Sequence, residues 1–212
     1  MEPIVAIRRR QTLKAETGYP TLDALLAAVR DCRVCEQHLP LGPRPVLRAG
    51  ATCRLLIVGQ APGARVHATG IPWDDRSGER LRTWLGMDSS AFNDESRIAI
   101  IPMGYCYPGR GKGGDLAPRR ECAEWWLKPL LTRLPQIELT LLIGQHAQRH
   151  FLGGRRKQSL TATIRAWREY APQFLPLPHP SPRNAPWFKR NPWFEEQVVP
   201  VLQARINALP VR

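Results

Sequence analysis

Short apolar runs that alternate with longer segments of helical spacing constrain the fold of this chain most strongly. Runs at residues 55–58, 98–101, 139–143 and 174–177 are bounded by Gly, Pro or polar residues. The segments between them repeat apolar residues every three or four positions, as amphipathic helices do. Such alternation is typical of βαβ units, in which helices cover both faces of a parallel sheet. The sequence therefore predicts an α/β fold: a three-layer α/β/α sandwich around a central, mainly parallel, four-stranded sheet.

The helical segments carry recognisable start and stop signals. Thr21 is a candidate N-cap, and the apolar residues from Leu22 to Val29 behind it fall on one helical face. Pro200 is expected to kink or divide the last helix, because proline removes a backbone hydrogen bond. The predicted helices cover residues 22–31, 77–86, 119–133, 145–152, 160–170 and 193–207.

The length of the chain limits the number of domains. Its 212 residues, 43% of them hydrophobic, supply enough core for one α/β domain but too little for two ordinary ones. Residues 1–20 lack periodicity and carry the basic cluster Arg8–Arg10. We therefore predict a loose basic arm over residues 1–20 and a single domain over residues 21–212.

The charge balance narrows the class of partner. Thirty-one Lys and Arg against 18 Asp and Glu give a formal net charge of +13. An excess of this size favours a polyanion, because neutralised phosphates release their counterions. Nucleic acid is the leading candidate, and a basic surface that only keeps the protein dissolved is the alternative.

The compartment is predicted from what the sequence lacks. No stretch approaches the ~20 consecutive apolar residues of a membrane-spanning helix. The apolar run Pro3–Ile7 precedes the Arg cluster, which is the wrong order for a secretory signal. Five Cys, an odd number, then favour reduced thiols over disulfides. These features predict a cytoplasmic protein without a membrane partner.

The segments that follow the predicted strands are dense in Gly, Pro and polar side chains. In open parallel sheets the ligand lies beyond the carboxyl ends of the strands. A binding site is therefore expected at that edge of the sheet. The four segments concerned are residues 59–63, 102–106, 144–146 and 178–182.

Three motifs carry a resemblance to a known family. The strand and loop Leu55–Gly63, the stretch Gly70–Gly78 (GIPWDDRSG) and the late stretch His179–Asn184 (HPSPRN) occur in this order. Together they resemble the uracil-DNA glycosylase superfamily over roughly residues 30–205. The branches with an iron-sulfur cluster are most similar, while HPSPRN is similar to the single-strand-selective branch. The resemblance implies a monofunctional hydrolase of base excision repair, which cuts the N-glycosidic bond of uracil or a related deaminated base in DNA.

The resemblance also implies how the base is held. A base inside a duplex is out of reach, so it must be extruded into a tight pocket. Trp73 matches a stacking position and is the candidate platform under the base, although most Trp residues are simply core. The loop after the first strand can direct backbone amides at the base edge, an ordinary strand-to-loop turn being the alternative. Its candidate binding residues are Gly59, Gln60, Ala61, Pro62 and Gly63.

Two side chains are candidate catalytic residues. Asp75 is similar to the catalytic aspartate of one iron-sulfur branch, and a carboxylate suits the positive charge that develops on the sugar during cleavage. The alternative is that Asp74 or Asp75 only caps the following helix. His179, in a loop flanked by prolines, is a candidate donor to the uracil O2 that stabilises the departing anion.

The residues around the late motif are candidate DNA contacts. The resemblance implies that they contact phosphates of the DNA backbone. Trp187 among them is a candidate to wedge or pack at the gap that the flipped base leaves. A solvated basic loop is the alternative. The predicted DNA-binding residues are Ser181, Arg183, Asn184, Lys189 and Arg190.

Four cysteines resemble the cluster ligands of the iron-sulfur glycosylases. Cys32 and Cys35 form a CxxC, and Cys106 and Cys122 follow much later in the chain. Four thiolates fit a 4Fe-4S cluster, with tetrahedral zinc as the alternative. Such a metal would have a structural role, joining the first helix to the segment after the second strand. Cys53 is left over and is expected to be a small buried residue.

The sequence departs from the family pattern at two places. No Asn occurs in residues 106–115, directly after the third cysteine, where the iron-sulfur branches carry the side chain that reads uracil, and Gln60 stands where one branch has Glu. Arg110 or Lys112 would contact DNA there instead. The preferred lesion and the strand preference therefore stay open, and the alternative function is a nucleic-acid-binding protein on this fold with little or no activity. The chain is expected to be a monomer. An enzyme for small phosphorylated substrates is disfavoured, since neither a Walker nor a Rossmann phosphate loop is present.

Overall fold

The computed structural model describes residues 18–210, and its central feature is a sheet of four parallel strands in the order β2-β1-β5-β6. Two further short strands, β3 and β4, pair antiparallel as a separate hairpin. The predicted four-stranded sheet is therefore confirmed, and it is parallel throughout. The strands are β1 (Leu55–Val58), β2 (Ile98–Ile100), β3 (Arg110–Gly111), β4 (Gly114–Asp115), β5 (Leu139–Ile143) and β6 (Phe174–Leu177).

Nine helical segments surround the sheet in the described part of the chain. Two of them contain a π-helical stretch. Helix α5 runs without a break through Arg120–Cys122, the π-helical Ala123–Leu127 and Lys128–Thr132. Helix α9 consists of the π-helical Phe194–Val198 followed by Val199–Asn207. The others are α1 (Leu22–Arg30), α2 (Ala64–Thr69), α3 (Arg76–Leu85), α4 (Ser89–Phe92), α6 (Gly144–Leu152), α7 (Leu160–Arg165) and α8 (Ala185–Arg190). Short 3₁₀ turns lie at Glu36–His38, Gly153–Arg155, Trp167–Tyr170 and Pro182–Asn184.

The two faces of the sheet bury two separate apolar cores. Alternate strand residues point to opposite faces, so Leu56 and Val58 enter one core and Leu55 and Ile57 the other. Helices α1, α5 and α6 pack on the first face, and α3, α7 and α9 pack on the second. Every residue of β1 and β5 is buried, which explains why these strands read as uninterrupted apolar runs. The predicted three-layer sandwich is confirmed.

The predicted signals at helix ends are realised. The Thr21 hydroxyl accepts a hydrogen bond from the amide of Ala24 at 3.1 Å, as expected of an N-cap. Pro200 was predicted to kink or divide the last helix. It lies in the first turn of Val199–Asn207, directly after the π-helical stretch, so α9 changes its helical type there but continues through the proline. Of the predicted arm, residues 1–17 lie outside the described residues. No helix among residues 18–210 is both long and apolar enough to cross a membrane.

Candidate active site

A cavity of about 500 Å³ opens at the carboxyl edge of the sheet. Its walls come from the loops after β1 and β6, from Pro102 after β2, from the segment before α3 and from the β3–β4 hairpin. This is the edge at which the sequence predicts a site. The volume lies in the usual range for small-ligand pockets, and a nucleobase fits within it.

The loop Gly59–Gly63 is fixed by backbone hydrogen bonds to the segment after β2. The amide of Met103 donates to the Gly59 carbonyl at 3.0 Å, and the amide of Gly104 donates to the Gln60 carbonyl at 2.9 Å. All five residues of the loop line the cavity. The backbone of this loop is therefore held in one conformation at the cavity wall, as a binding loop requires.

The side-chain amide of Gln60 forms a hydrogen bond to a residue outside the loop. Its Nε2 donates to the backbone carbonyl of Leu116 at 2.9 Å, at the end of the β3–β4 hairpin. Gln60 therefore ties the hairpin to the loop after β1.

Trp73 is held in a strained corner between two glycines. Its φ of 59° lies in the left-handed region, which is costly for a bulky residue. A Cβ at Gly59 would come within 2.9 Å of the indole Cζ2, and a Cβ at Gly78 would collide with the Trp73 carbonyl oxygen. The indole packs partly on the core below and lies 5.7 Å from the ring of His179, centroid to centroid. Its position on the cavity wall suits a stacking platform.

Asp75 is the N-cap of α3. Its Oδ1 accepts a hydrogen bond from the amide of Gly78 at 2.8 Å, so the capping interpretation is confirmed. Capping engages only one carboxylate oxygen. The other, Oδ2, lies 4.0 Å from the position that a Cβ on Gly63 would occupy, on the cavity wall. Asp75 can therefore cap the helix and present negative charge to the cavity at the same time.

His179 is oriented by the loop that carries it. The amide of Ser181 donates to Nδ1 of the ring at 3.2 Å, which assigns the proton of the neutral imidazole to Nε2. The Asn184 side chain donates to the His179 carbonyl at 2.7 Å and fixes the backbone. Burial lowers the pKa of His179, while the charges of Asp75 and Asp115 oppose this shift only in part. The ring is therefore neutral at pH 7 and available as an Nε2–H donor.

The predicted DNA-binding residues divide into two groups. Ser181 and Arg183 line the cavity. Arg183 also packs over Gly114, where a Cβ would collide with the guanidinium. Asn184 supports the backbone of His179, as described above. Lys189 and Arg190 are exposed on the last turn of α8, outside the cavity wall.

Trp187 is packed within the protein. Its indole N–H donates to the Thr161 hydroxyl at 2.9 Å, and its ring contacts Phe188, Trp193 and Phe194. The aromatic cluster thus already engages this half-buried side chain, and a role for Trp187 as a wedge at the gap in DNA stays a prediction.

The cavity also contains charged residues that the sequence did not single out. Asp115, at the end of β4, lies with its Oδ2 3.5 Å from the Cβ position of Gly63, and Arg65 and Arg76 line the same wall. Arg65 lies 3.7 Å from Asp74, which does not line the cavity. The turn Gly113–Gly114 before Asp115 was the one sequence signal for this hairpin.

The four predicted cysteine ligands lie in one neighbourhood. The thiols of Cys35 and Cys122 form a hydrogen bond that lowers the pKa of Cys35 and raises that of Cys122. Burial raises the pKa of Cys106 to about 11, and the charges of Cys32 and Cys35 add to this shift. A cation would be needed to hold Cys106 and Cys122 as thiolates.

The chemistry of this donor set fits an iron-sulfur cluster or zinc, since it consists of four soft sulfur ligands. Within residues 18–210, however, no three or more His, Cys, Asp or Glu side chains converge as a ready ligand set. Cys53 is separate: it is fully buried, and its thiol donates to the Glu95 carbonyl at 2.9 Å.

The chain matches the model of a known protein family. A model of the uracil DNA glycosylase superfamily matches residues 48–203. The matched range contains all four strands of the sheet and every cavity-lining residue from Gly59 to Arg183. It begins after Cys32 and Cys35, so it bears on the fold and the cavity and leaves the cysteine ligands open.

Proposed function

We propose that this chain, which belongs to the uracil DNA glycosylase superfamily, hydrolyses the N-glycosidic bond of uracil or a related deaminated base that is flipped out of DNA. Members of this superfamily are hydrolytic glycosylases that act on DNA. The observation that carries the proposal is the convergence of Asp75, His179 and Trp73 on one cavity. They supply a negative charge, a neutral donor and an aromatic face.

The cavity supports base flipping in physical terms. Extruding a base costs a few kcal/mol of stacking and pairing. Stacking on the indole of Trp73 is worth about 1–3 kcal/mol and offsets much of this cost. The loop Gly59–Gly63 lines the same space and would contact the base edge.

Asp75 and His179 suit the two charges that develop during cleavage. As the bond between the sugar and the base lengthens, the sugar gains positive charge and the base becomes an anion. The Asp75 carboxylate would stabilise the sugar cation, and Nε2–H of His179 would donate to the base anion. A neutral imidazole can do this without giving up its proton, and Ser181 holds the ring in the required tautomer.

The basic side chains beside the cavity would bind the DNA backbone. Arg183 is at the cavity wall, and Lys189 and Arg190 are exposed on α8. We propose that these residues contact phosphates on either side of the flipped base, together with Ser181 and Asn184. A cytoplasmic monomer remains the prediction from the sequence.

Purified protein is expected to release uracil from a labelled oligonucleotide and leave an alkali-labile site. Single-stranded and double-stranded substrates that carry uracil, hypoxanthine or xanthine would be compared, with the same oligonucleotide carrying cytosine as the control. Strand scission after alkali measures the product. Binding without release from any of these substrates would contradict the enzyme and favour the alternative, a nucleic-acid-binding protein. Gln60 favours this alternative, because its side chain lines the cavity as an amide and, unlike a carboxylate, cannot take a proton from the attacking water.

We further propose that Cys32, Cys35, Cys106 and Cys122 bind a 4Fe-4S cluster, with zinc as the alternative. When bound, the group would supply a covalent cross-link between the turn after α1 and the segments around β2 and α5. The electrostatic coupling of the thiols supports this.

Anaerobically purified protein is expected to be brown if iron-sulfur is bound and colourless with stoichiometric zinc if zinc is bound. The variant Cys106→Ser should lose the metal, whereas Cys53→Ser should keep it, because Cys53 contacts Gly50 and Glu95 instead. Metal analysis of the three proteins measures the effect. Equal metal content in all three would rule Cys106 out as a ligand.

A further inference from the structure

A second carboxylate faces Asp75 across the cavity. We propose that Asp115 is the general base that deprotonates the attacking water, and that Gln60 and Arg183 are the residues that position it. This inference rests on the proposed function, because it assigns a step of the same hydrolysis. Hydrolysis needs a proton acceptor for water, and neither the cap of α3 nor the neutral donor of His179 fills that role well.

The hairpin that carries Asp115 is closed by its own backbone contacts and is anchored at two points to the loops after β1 and β6. Arg110 pairs with Asp115 and Gly111 with Gly114 across the two short strands. The amide of Leu116 donates to the Gly109 carbonyl at 2.9 Å, and Gln60 donates to the Leu116 carbonyl at the same distance. Arg183 packs over Gly114 from the loop after β6. Asp115 is therefore held at the cavity wall although the hairpin itself is only two residues long on each strand.

The two carboxylates differ in the contacts that they make. Oδ1 of Asp75 accepts the Gly78 amide at the N-terminus of α3, so this carboxylate is tied to the helix. The carboxylate of Asp115 is exposed, and within residues 18–210 it accepts no hydrogen bond. Asp75 is thus held in place by the helix that it caps, whereas both oxygens of Asp115 are free to contact a water molecule in the cavity.

The absent side chain of Gly63 leaves the space that a water needs. A Cβ at Gly63 would lie 3.5 Å from Oδ2 of Asp115 and 4.0 Å from Oδ2 of Asp75. Both oxygens therefore face the same point on the cavity wall. The charges of both carboxylates also reach His179, so the base, the fixed charge and the leaving-group donor surround one volume.

The proposed hydrolysis needs no co-reactant other than water. The water oxygen forms a bond to C1′ of the sugar while one proton passes to the Asp115 carboxylate. The bond between C1′ and the base nitrogen breaks, and its electron pair leaves with the base. The resulting anion accepts a hydrogen bond from Nε2–H of His179 and is later protonated from solvent, to which Asp115 returns its proton. The products are the free base and an abasic sugar.

The variant Asp115→Asn is expected to lower the kcat of base release by about 100-fold, the usual contribution of a general base. The KM for the oligonucleotide should stay unchanged, since the amide has the same shape as the carboxylate. Asp74→Asn is the matched control, because Asp74 belongs to the neighbouring loop but does not line the cavity. Single-turnover kinetics on the best substrate of the wild-type protein measure both quantities.

Rescue with sodium azide separates a base from a merely structural residue. Azide attacks C1′ without having to lose a proton, so it should restore base release by Asp115→Ala and yield a glycosyl azide. It should not restore base release by Asp75→Asn, which lacks the charge that stabilises the cation.

Gly63→Ala tests the position of the water independently. Gly63 has a φ of −80°, which alanine adopts without strain, and the methyl group would fill the proposed space. Its kcat should fall while its thermal unfolding midpoint stays unchanged.

The outcomes are distinguishable. If the wild-type protein releases no base from any substrate, the proposed function fails and this inference fails with it. If the wild-type protein is active and Asp115→Asn is equally active, only the inference about Asp115 fails. An inactive Asp115→Ala that azide does not rescue, or that unfolds at a lower temperature, would make Asp115 structural. Equal rescue of Asp75→Asn would overturn the division of roles between the two carboxylates.

Discussion

Replacing His179 with alanine is expected to reduce base release by about 10²–10³-fold, the usual loss on removal of one donor to a developing anion. The reason is that Nε2–H is the donor at the cavity wall whose tautomer the fold fixes, through the Ser181 amide. Binding of a uracil-containing oligonucleotide should survive, because the phosphate contacts proposed here come from other residues. Fluorescence anisotropy for binding and single-turnover release for chemistry measure the two effects separately.

His146→Ala is the matched control for this experiment. His146 lies in the first turn of α6, directly after β5, and it does not line the cavity. Its removal should leave base release unchanged. A His179→Ala variant with wild-type turnover would show that the leaving base is stabilised by another group.

Replacing Asp75 with asparagine is expected to lower turnover by about 10²–10³-fold without a measurable loss of stability. Asparagine caps helices about as well as aspartate, so the bond from the Gly78 amide is kept while the negative charge is removed. Asp75→Ala should lose the same activity and in addition about 1 kcal/mol of the free energy of unfolding, because the cap is lost. Urea unfolding and single-turnover kinetics of both variants provide the measurements.

This pair separates the two roles that the structure gives to one side chain. If Asp75→Asn kept full turnover, the carboxylate would serve only as the cap of α3. A loss of stability in Asp75→Asn equal to that in Asp75→Ala would mean that the amide does not replace the cap, and the kinetic comparison would then need a correction for unfolded protein.

The sheet was predictable because strands that are buried on both faces appear in the sequence as uninterrupted apolar runs. Residues 55–58, 139–143 and 174–177 are strands with the predicted bounds, and every residue in them is buried. The edge of the sheet at which the cavity opens followed from the parallel order alone. Local sequence also offered Asp74 or Asp75 as a cap, since Asp before a helical run is a common N-cap, and the structure assigns the cap to Asp75.

The hairpin and the aromatic cluster were not predictable for physical reasons. Two-residue strands in a stretch rich in Gly carry no periodicity, so Asp115 gave no sign that it reaches the cavity. Trp187 was expected at the DNA surface because it stands among basic residues. In the structure Trp187 contacts Thr161 and three aromatic rings. Thr161 is 26 residues away in the chain, so only the tertiary fold brings it to Trp187.

The strained corner at Trp73 has a consequence for how a base would be received. The indole rests against Gly59, its carbonyl is pressed against Gly78, and its backbone has a φ that few bulky residues adopt. The conformational entropy of this side chain is therefore already lost when the protein folds, and the arriving base does not have to order it. The stacking platform is therefore preorganised. Its strain lowers the free energy of unfolding of the protein and does not weaken the binding of the extruded base.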